Sequence, residues 1–392
     1  SLKFAHVWSN APVCAPARTG LISGVYPTSV GAHDMRSDVA IPSNIQVLPQ
    51  LMRKAGYYCT NYSKTDYNGI AADTVWNECS KKAHWKNRPQ GQPFFAAFNF
   101  TQSHESNALL EKPKLQHDPQ KITLPPYHPD TPEVRRERAR YYDNITRIDE
   151  MIGRCLAELE DAGLADDTII FYFSDHGTDL PRSKRTPLNS GLQVPLIIHV
   201  PEKWQHLAPE DYQPGGTSSR LVSFIDFAPT LLSIIGEKPH AWMQGTAFMG
   251  EHAGKPHTHL FGFRGRMDER YDCVRSATNG RYVYQRNYMP HLSHAQHVRT
   301  MFKQRTAQIW KQRFDENALT AVQASFWQPR RPEELYDLQA DPYETVNLAE
   351  DPAHQPLLEE FRRAQREHLL TINDIGFLPE AEMHRRAQAA NT

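Results

Sequence analysis

Cysteine is scarce in this 392-residue chain. The five residues, at 14, 59, 79, 155 and 273, are too few and too scattered for a disulfide framework, and no C-x-x-C pair marks a zinc site. Long apolar runs are missing as well: no stretch approaches the ~18 residues of a membrane-spanning helix. No signal peptide is visible in the opening SLKFAHVWSN, which has neither a basic start nor an apolar middle. Net charge is nearly absent too. The 44 Lys and Arg against 45 Asp and Glu leave −1, which speaks against a broad basic surface for nucleic acid or membrane. Any anion chemistry must be local.

What is present fits a soluble globular protein: 39% hydrophobic and 23% charged residues, with length for one large domain and an appendage or for two to three domains. The clearest helix starts at Thr131, an N-cap, with Pro132 at its first position. Its apolar residues Ile145, Ile148, Ile152, Cys155, Leu156 and Leu159 recur at helical spacing, and Gly163 stops it. TIIFYFSDHG follows, a buried-strand run ending in Ser174, Asp175, His176 and Gly177. Residues 93–100 and 193–201 have the same texture, with His104 just past the first of them, and helices are expected around 45–55 and 225–235. The alternation predicts an α/β sandwich whose sites lie outside strand ends. Beyond about residue 265 come shorter, aromatic and Arg-rich segments with turn signals, followed by an amphipathic helix over 352–370, the texture of a smaller α+β module.

Near the start stands NAPVCAPARTGLISGVYP, which contains C-x-P-x-R as Cys14, Pro16 and Arg18, then Leu21 and Gly24. Such a combination is expected by chance far less than once in a chain of this composition. Pro16 suits the first turn of a helix, so Cys14 would sit at a helix N-terminus, where free N–H groups and the dipole favour an anion. Arg18 adds a permanent positive charge.

At these residues the sequence resembles the type I sulfatases of the alkaline-phosphatase superfamily, whose signature C-x-P-x-R-x-x-x-L-x-G is matched at Cys14, Pro16, Arg18 and Gly24, with Ile22 at the leucine position. Similar landmarks are SDHG at 174–177, KRTPLNSGLQVP at 184–195, IDFAPTLL at 225–232 and ELYDLQADPYETVNLAEDP at 334–352. Within the family the chain looks most like the heparan N-sulfatase branch and bacterial polysaccharide sulfatases. The resemblance implies an alkaline-phosphatase-like α/β sandwich over 1–265, with a large mixed central sheet between helices. A C-terminal α+β subdomain with a short antiparallel sheet would occupy 266–392. It implies hydrolysis of a sulfate ester or sulfamate on a carbohydrate, in the periplasm or outside the cell.

The same resemblance implies that Cys14 is converted to formylglycine by a formylglycine-generating or anaerobic sulfatase-maturing enzyme. The hydrated aldehyde would attack sulfur beside a divalent metal, usually calcium, held by the modified Cys14, Asp175 and His176. Arg18, Lys64, His104 and Lys184 match family positions that bind sulfate or serve the leaving group. Arg185 is the fallback for Lys184, and relatives commonly have histidine where Asp66 stands. His33 and Arg36, one loop after the motif helix, are candidates for sugar hydroxyls, a carboxylate or a second sulfate. Sulfatases usually open with a strand ending in paired aspartates that supply two further metal ligands. No such pair precedes Cys14, so the usual first strand is expected to be missing from this sequence. Two other readings use the same residues: a phosphomonoester or phosphonate hydrolase of the superfamily, and an inactive glycan-binding pseudo-sulfatase.

Overall fold

The apolar runs read as strands are strands, slightly shorter than the runs themselves. In the computed structural model, which describes residues 1–71, 74–108 and 114–390, β1 spans Leu2–Trp8, β2 Tyr58–Tyr62, β3 Glu78–Cys79 and β4 Phe94–Phe98. They are followed by β5 Ile170–Phe173, β6 Leu196–His199, β7 Thr217–Ser223, β8 Leu260–Arg264, β9 Val274–Thr278, β10 Tyr282–Asn287 and β11 Glu333–Asp337. The helices are α1 Cys14–Ser23, α2 Leu48–Lys54, α3 Glu105–Ala108, α4 Pro132–Asp161, α5 Asn189–Leu192 and α6 Phe227–Ile234. The C-terminal part adds α7 Arg305–Asp315, α8 Ala321–Ser325, α9 Gln355–Thr371 and α10 Glu380–Ala390. None is long and apolar enough to cross a membrane among the described residues.

A mixed sheet in the order β5-β6-β1-β7 carries the first core, with β1 antiparallel to β6 and parallel to β7. Its strands bury Phe4, Val7, Leu196, Ile198 and Val222 against Phe224, Phe227 and Phe248. The Phe173 and Phe227 rings meet at 4.9 Å, edge to face. Each such side chain contributes about 1.5–3 kcal/mol on burial. A second, parallel sheet runs β3-β2-β4 and packs α2 through Leu48, Leu51 and Met52.

The expected large central sheet is thus divided. Edge strands β4 and β5 share no hydrogen bonds and line opposite parts of one cavity of about 630 Å³, floored by α4. Among the described residues no strand lies between them. The periodic apolar face read from the sequence, Ile145 to Leu159, faces this cavity, which is why Ile145 remains 39% exposed. Helix α4 itself begins as its cap dictates: Thr131 Oγ1 accepts the Val134 N–H at 3.3 Å.

The antiparallel sheet β11-β10-β9-β8 packs α9 through Leu358 and Phe361 against Tyr284 and Leu335. Because β8 pairs with β9 along its whole length, a division at 265/266 cuts this sheet after its first strand. The antiparallel sheet itself begins at Leu260. The chain then returns across it: Asp374 takes Arg275 Nε at 2.7 Å and Nη2 at 2.9 Å, both side chains almost fully buried. Asp374→Ala strands a buried guanidinium and should lower unfolding stability by about 3–5 kcal/mol. Denaturant titration checks this, and a loss under about 1 kcal/mol would show that the pair does not anchor this segment.

Candidate active site

Cys14 is the first residue of α1, buried, after the extended Val13. The helical repeat sets Arg18 one turn further on the same face. Arg18 donates to Thr65 O at 2.7 Å, Lys64 O at 2.8 Å and Asn99 Oδ1 at 2.9 Å. It therefore holds the loop after β2 and the end of β4 together, and Nη1 stands 3.7 Å from Asp175 Oδ2. That loop delivers Lys64, whose Nζ donates to Asp175 Oδ2 at 2.8 Å and reaches Cys14 Sγ at 3.4 Å. Asp175 and His176 come from the end of β5. His176 Nδ1 pairs with Gly177 O at 2.9 Å, which turns Nε2 toward Cys14 Sγ at 3.4 Å.

The turn after β5 can close this tightly only because two glycines meet. A Cβ on Gly177 would lie 2.0 Å from Ser190 O, and one on Gly191 would lie 2.1 Å from Thr186 O. The loop between them carries Lys184, whose Nζ lies 2.9 Å from Asp179 Oδ1 and 3.2 Å from Glu105 Oε1. Asp179 Oδ1 is also 3.6 Å from His176 Nε2.

The charges are strongly coupled. Burial alone would push the Asp175 carboxyl up, but His176, Lys64 and Arg18 outweigh it and hold it well below the usual carboxylate range. Burial opposes charge on His176, yet Cys14 and Asp175 push the imidazole up to about 9. Burial and then Asp175 raise the Cys14 thiol, whereas His176 and Lys184 carry it below its ordinary value. Burial disfavours the charged forms of Lys64 and Lys184, but neighbouring anions raise both.

Of the residues expected at the site, Cys14, Arg18, Lys64, Asp175, His176 and Lys184 converge. His104 lies past β4 on the same cavity, its Nδ1 2.9 Å from Ser106 Oγ. Burial and Lys184 lower its pKa, so the free ring is neutral near pH 7. Arg36 is exposed, with Nε 3.9 Å from Asp66. Two expectations are corrected. His33 is 1% exposed, enclosed by Phe263 and the Arg275 and Gly376 region, so it offers no edge to a substrate. Arg185 is spent on Glu105, Asp268 and Thr300 Oγ1, at 2.6–3.0 Å, and cannot replace Lys184 as a free cation.

Asn99, Glu105 and Asp179 belong to the site but were not singled out from the sequence. The available signal was position alone: Asn99 and Glu105 follow a strand end beside His104, and Asp179 follows His176 by three residues.

Cys14 Sγ, a carboxylate oxygen of Asp175 and a ring nitrogen of His176 lie within 4.8 Å of one another. That spacing lets three donors surround one cation. Their chemistry, one sulfur, one oxygen and one nitrogen, suits a divalent ion, while calcium, which takes six to eight oxygens, would need further ligands.

The sulfatase family profile matches residues 60–237. An ulvan-active sulfatase of Formosa agariphila is 37% identical over 97% of this chain and 71% of its own length. Human N-sulphoglucosamine sulphohydrolase is 25% identical over 92% of this chain and 82% of its own. The solved structure of a 2-O GAG sulfatase superposes with a TM-score of 0.69 at 18% identity, covering 95% of this chain and 85% of the other.

With Cys14 as the thiol and no metal added, an NMR titration should place the His176 midpoint near 9, above its ordinary 6.5. The folded value exceeds the unfolded one, so the stabilising contribution is complete below about 6.5 and fades as pH rises through about 9. Cys14→Ala should lower the midpoint, and a midpoint below 6.5 in the unsubstituted protein would contradict this charge arrangement.

Proposed function

The chain belongs to the sulfatase family, and on that footing we propose that it releases inorganic sulfate from a sulfate ester or sulfamate on a carbohydrate, with the side chain at Cys14 as nucleophile. One observation carries the reading: Cys14, Arg18, Lys64, Asp175 and His176, drawn from three separate stretches of chain, meet where a tetrahedral anion would find cations beside a nucleophile. The relatives active on ulvan and on N-sulphoglucosamine support a sulfated carbohydrate as the substrate class.

Formylglycine at position 14 would supply an oxygen nucleophile, and a divalent cation held by Asp175, His176 and that side chain would supply Lewis acidity at the sulfate. A maturing enzyme is the partner this chemistry requires. The remaining work falls to the chain's own residues. Arg18 and Lys64 stay charged and draw the sulfate oxygens toward position 14. Lys184, held between Asp179 and Glu105, adds a third cation. His104 is neutral in the free site. An incoming sulfate beside it favours the imidazolium, which can then protonate the departing sugar oxygen or nitrogen. Arg36, exposed at the rim beside Asp66, is placed to meet an acidic group further along the substrate.

Cys14→Ala should cut sulfate release from a sulfated oligosaccharide by on the order of 10³-fold or more, measured by ion chromatography. Peptide mass spectrometry of the unsubstituted protein should show the thiol converted to an aldehyde. A marked preference for aryl phosphate over the matched aryl sulfate would replace this reading with a phosphoester hydrolase, and an unconverted Cys14 with no sulfate release would leave only a glycan-binding protein.

His104→Ala should lower kcat on sugar sulfates by about 10²-fold or more, the usual range for general acid catalysis. Nitrophenyl sulfate, whose leaving group needs no proton, should lose far less. Equal losses on both substrates would remove His104 from leaving-group protonation.

A further inference from the structure

The segment Asp341–Asn347, inside the stretch at 334–352 that the sequence singles out, has no part in the chemistry above. We propose that Glu344 within it is a positioning residue, which clamps the loop presenting Lys184 and thereby fixes where the sulfate group is met. The proposal rests on the reading that Lys184 faces the sulfate.

The Lys184 loop cannot hold its shape unaided. Arg182 and Arg185 both take left-handed backbone conformations, with φ of 70° and 71°, which cost energy for residues with a side chain. The antiparallel-sheet module grips this loop at three points. At its start, Arg182 donates to Tyr343 O at 2.9 Å and Glu344 O at 2.6 Å, with its guanidinium 4.3 Å over the Tyr127 ring. In the middle, Pro187 O accepts from Ser276 Oγ at 2.7 Å on β9 and from Gln285 Nε2 at 3.1 Å on β10. At its end, Glu344 Oε1 accepts the Asn189 N–H at 2.9 Å.

Glu344 therefore touches both ends of the loop, one through its carbonyl and the other through its carboxylate. It is 1% exposed and itself left-handed, at φ 54°. Its turn is organised in advance: the Asp341 carboxylate accepts Thr345 N–H at 2.5 Å, Val346 N–H at 2.7 Å and Thr345 Oγ1 at 3.2 Å. Burial pushes the Glu344 carboxyl up to about 7 against the pull of Arg182 and the Asn189 N–H. A carboxyl group buried at that cost, aimed at the backbone donors of Asn189 and Ser190 at the end of the loop, has a positional task. Lys184 lies between the gripped points and depends on them for its approach to Asp179 and Glu105.

Three variants test this: Glu344→Ala, Glu344→Asp, which keeps charge but loses reach, and Glu344→Gln, which keeps an oxygen to accept the Asn189 N–H. Each is read by steady-state kinetics on a sulfated oligosaccharide and by hydrogen exchange of the amides of 183–190. Glu344→Ala should lose about tenfold or more in kcat/KM, mainly through KM, because a ground-state contact to sulfate is misplaced. Exchange across 183–190 should accelerate while the β1 and β6 amides keep their protection. Glu344→Gln should stay within about threefold of the parent. If Glu344→Ala does not fold, Glu344→Asp carries the same expectation. A folded Glu344→Ala with parental kcat/KM, unchanged loop exchange, or a Glu344→Gln as impaired as the alanine variant overturns the clamp. If the parent releases no sulfate, faster loop exchange in Glu344→Ala still upholds the clamp, and the functional reading alone fails.

Discussion

A single half-buried carboxylate organises this protein. Asp175 lies at the end of β5 among Lys64, Arg18 and His176, and without it three cationic groups would face one another at the wall of the cavity. The cost of burying them would then be unopposed. Asp175 also explains why separate stretches of chain must meet there. Arg18 comes from α1, Lys64 from the loop after β2, and His176 from the turn after β5. His176 has a second carboxylate beside it, with Asp179 Oδ1 3.6 Å from Nε2.

The other carboxylates extend the same logic outward. Asp179 is shared between Lys184 and His176, and Glu105 between Lys184 and Arg185. Because each anion is divided among several cations, no cation is fully neutralised. Capacity remains for a tetrahedral anion, whose oxygens can complete the coordination that the carboxylates leave unfinished. Arg185 sits at the outer end of this chain of charge, where Glu105 and Asp268 both claim it, and so it has become part of the scaffold.

Much of this was legible in the sequence, for reasons that differ between residues. Cys14 and Arg18 stand out because helix geometry and anion chemistry restrict both spacing and residue type. Asp175 and His176 stand out because a continuous apolar run ends abruptly in polar residues. Helix α4 was readable from cap to stop because Thr131, Pro132, the apolar repeat and Gly163 all agree. β1 escaped notice: LKFAHVW carries Lys3 and His6 amid its apolar residues, and becomes a strand only by pairing with β6 and β7, which lie some 200 residues away. His33 and Arg185 misled for a related reason. Local sequence shows a polar residue near a motif, but burial and occupied hydrogen bonds are set by partners such as Arg275 and Glu105 from distant segments.

The two modules are coupled by this division of labour. The mixed and parallel sheets supply strand ends, and strand ends place Cys14, Lys64, His104 and Asp175 with little freedom. Lys184 is different, because it hangs on an irregular loop with two left-handed arginines, tied to the first module beside Lys184 by the Arg185 N–H donating to Pro12 O at 2.7 Å. The antiparallel-sheet module adds further anchors through Ser276, Gln285 and Glu344. Its own stiffness comes from continuous pairing of β8 to β11 and from the buried Arg275–Asp374 pair. Mechanical order therefore passes from a sheet that holds no reacting group to a loop that does. The C-terminal module is thus part of the apparatus that sets the geometry at sulfur, although among the described residues none of its side chains reaches the nucleophile.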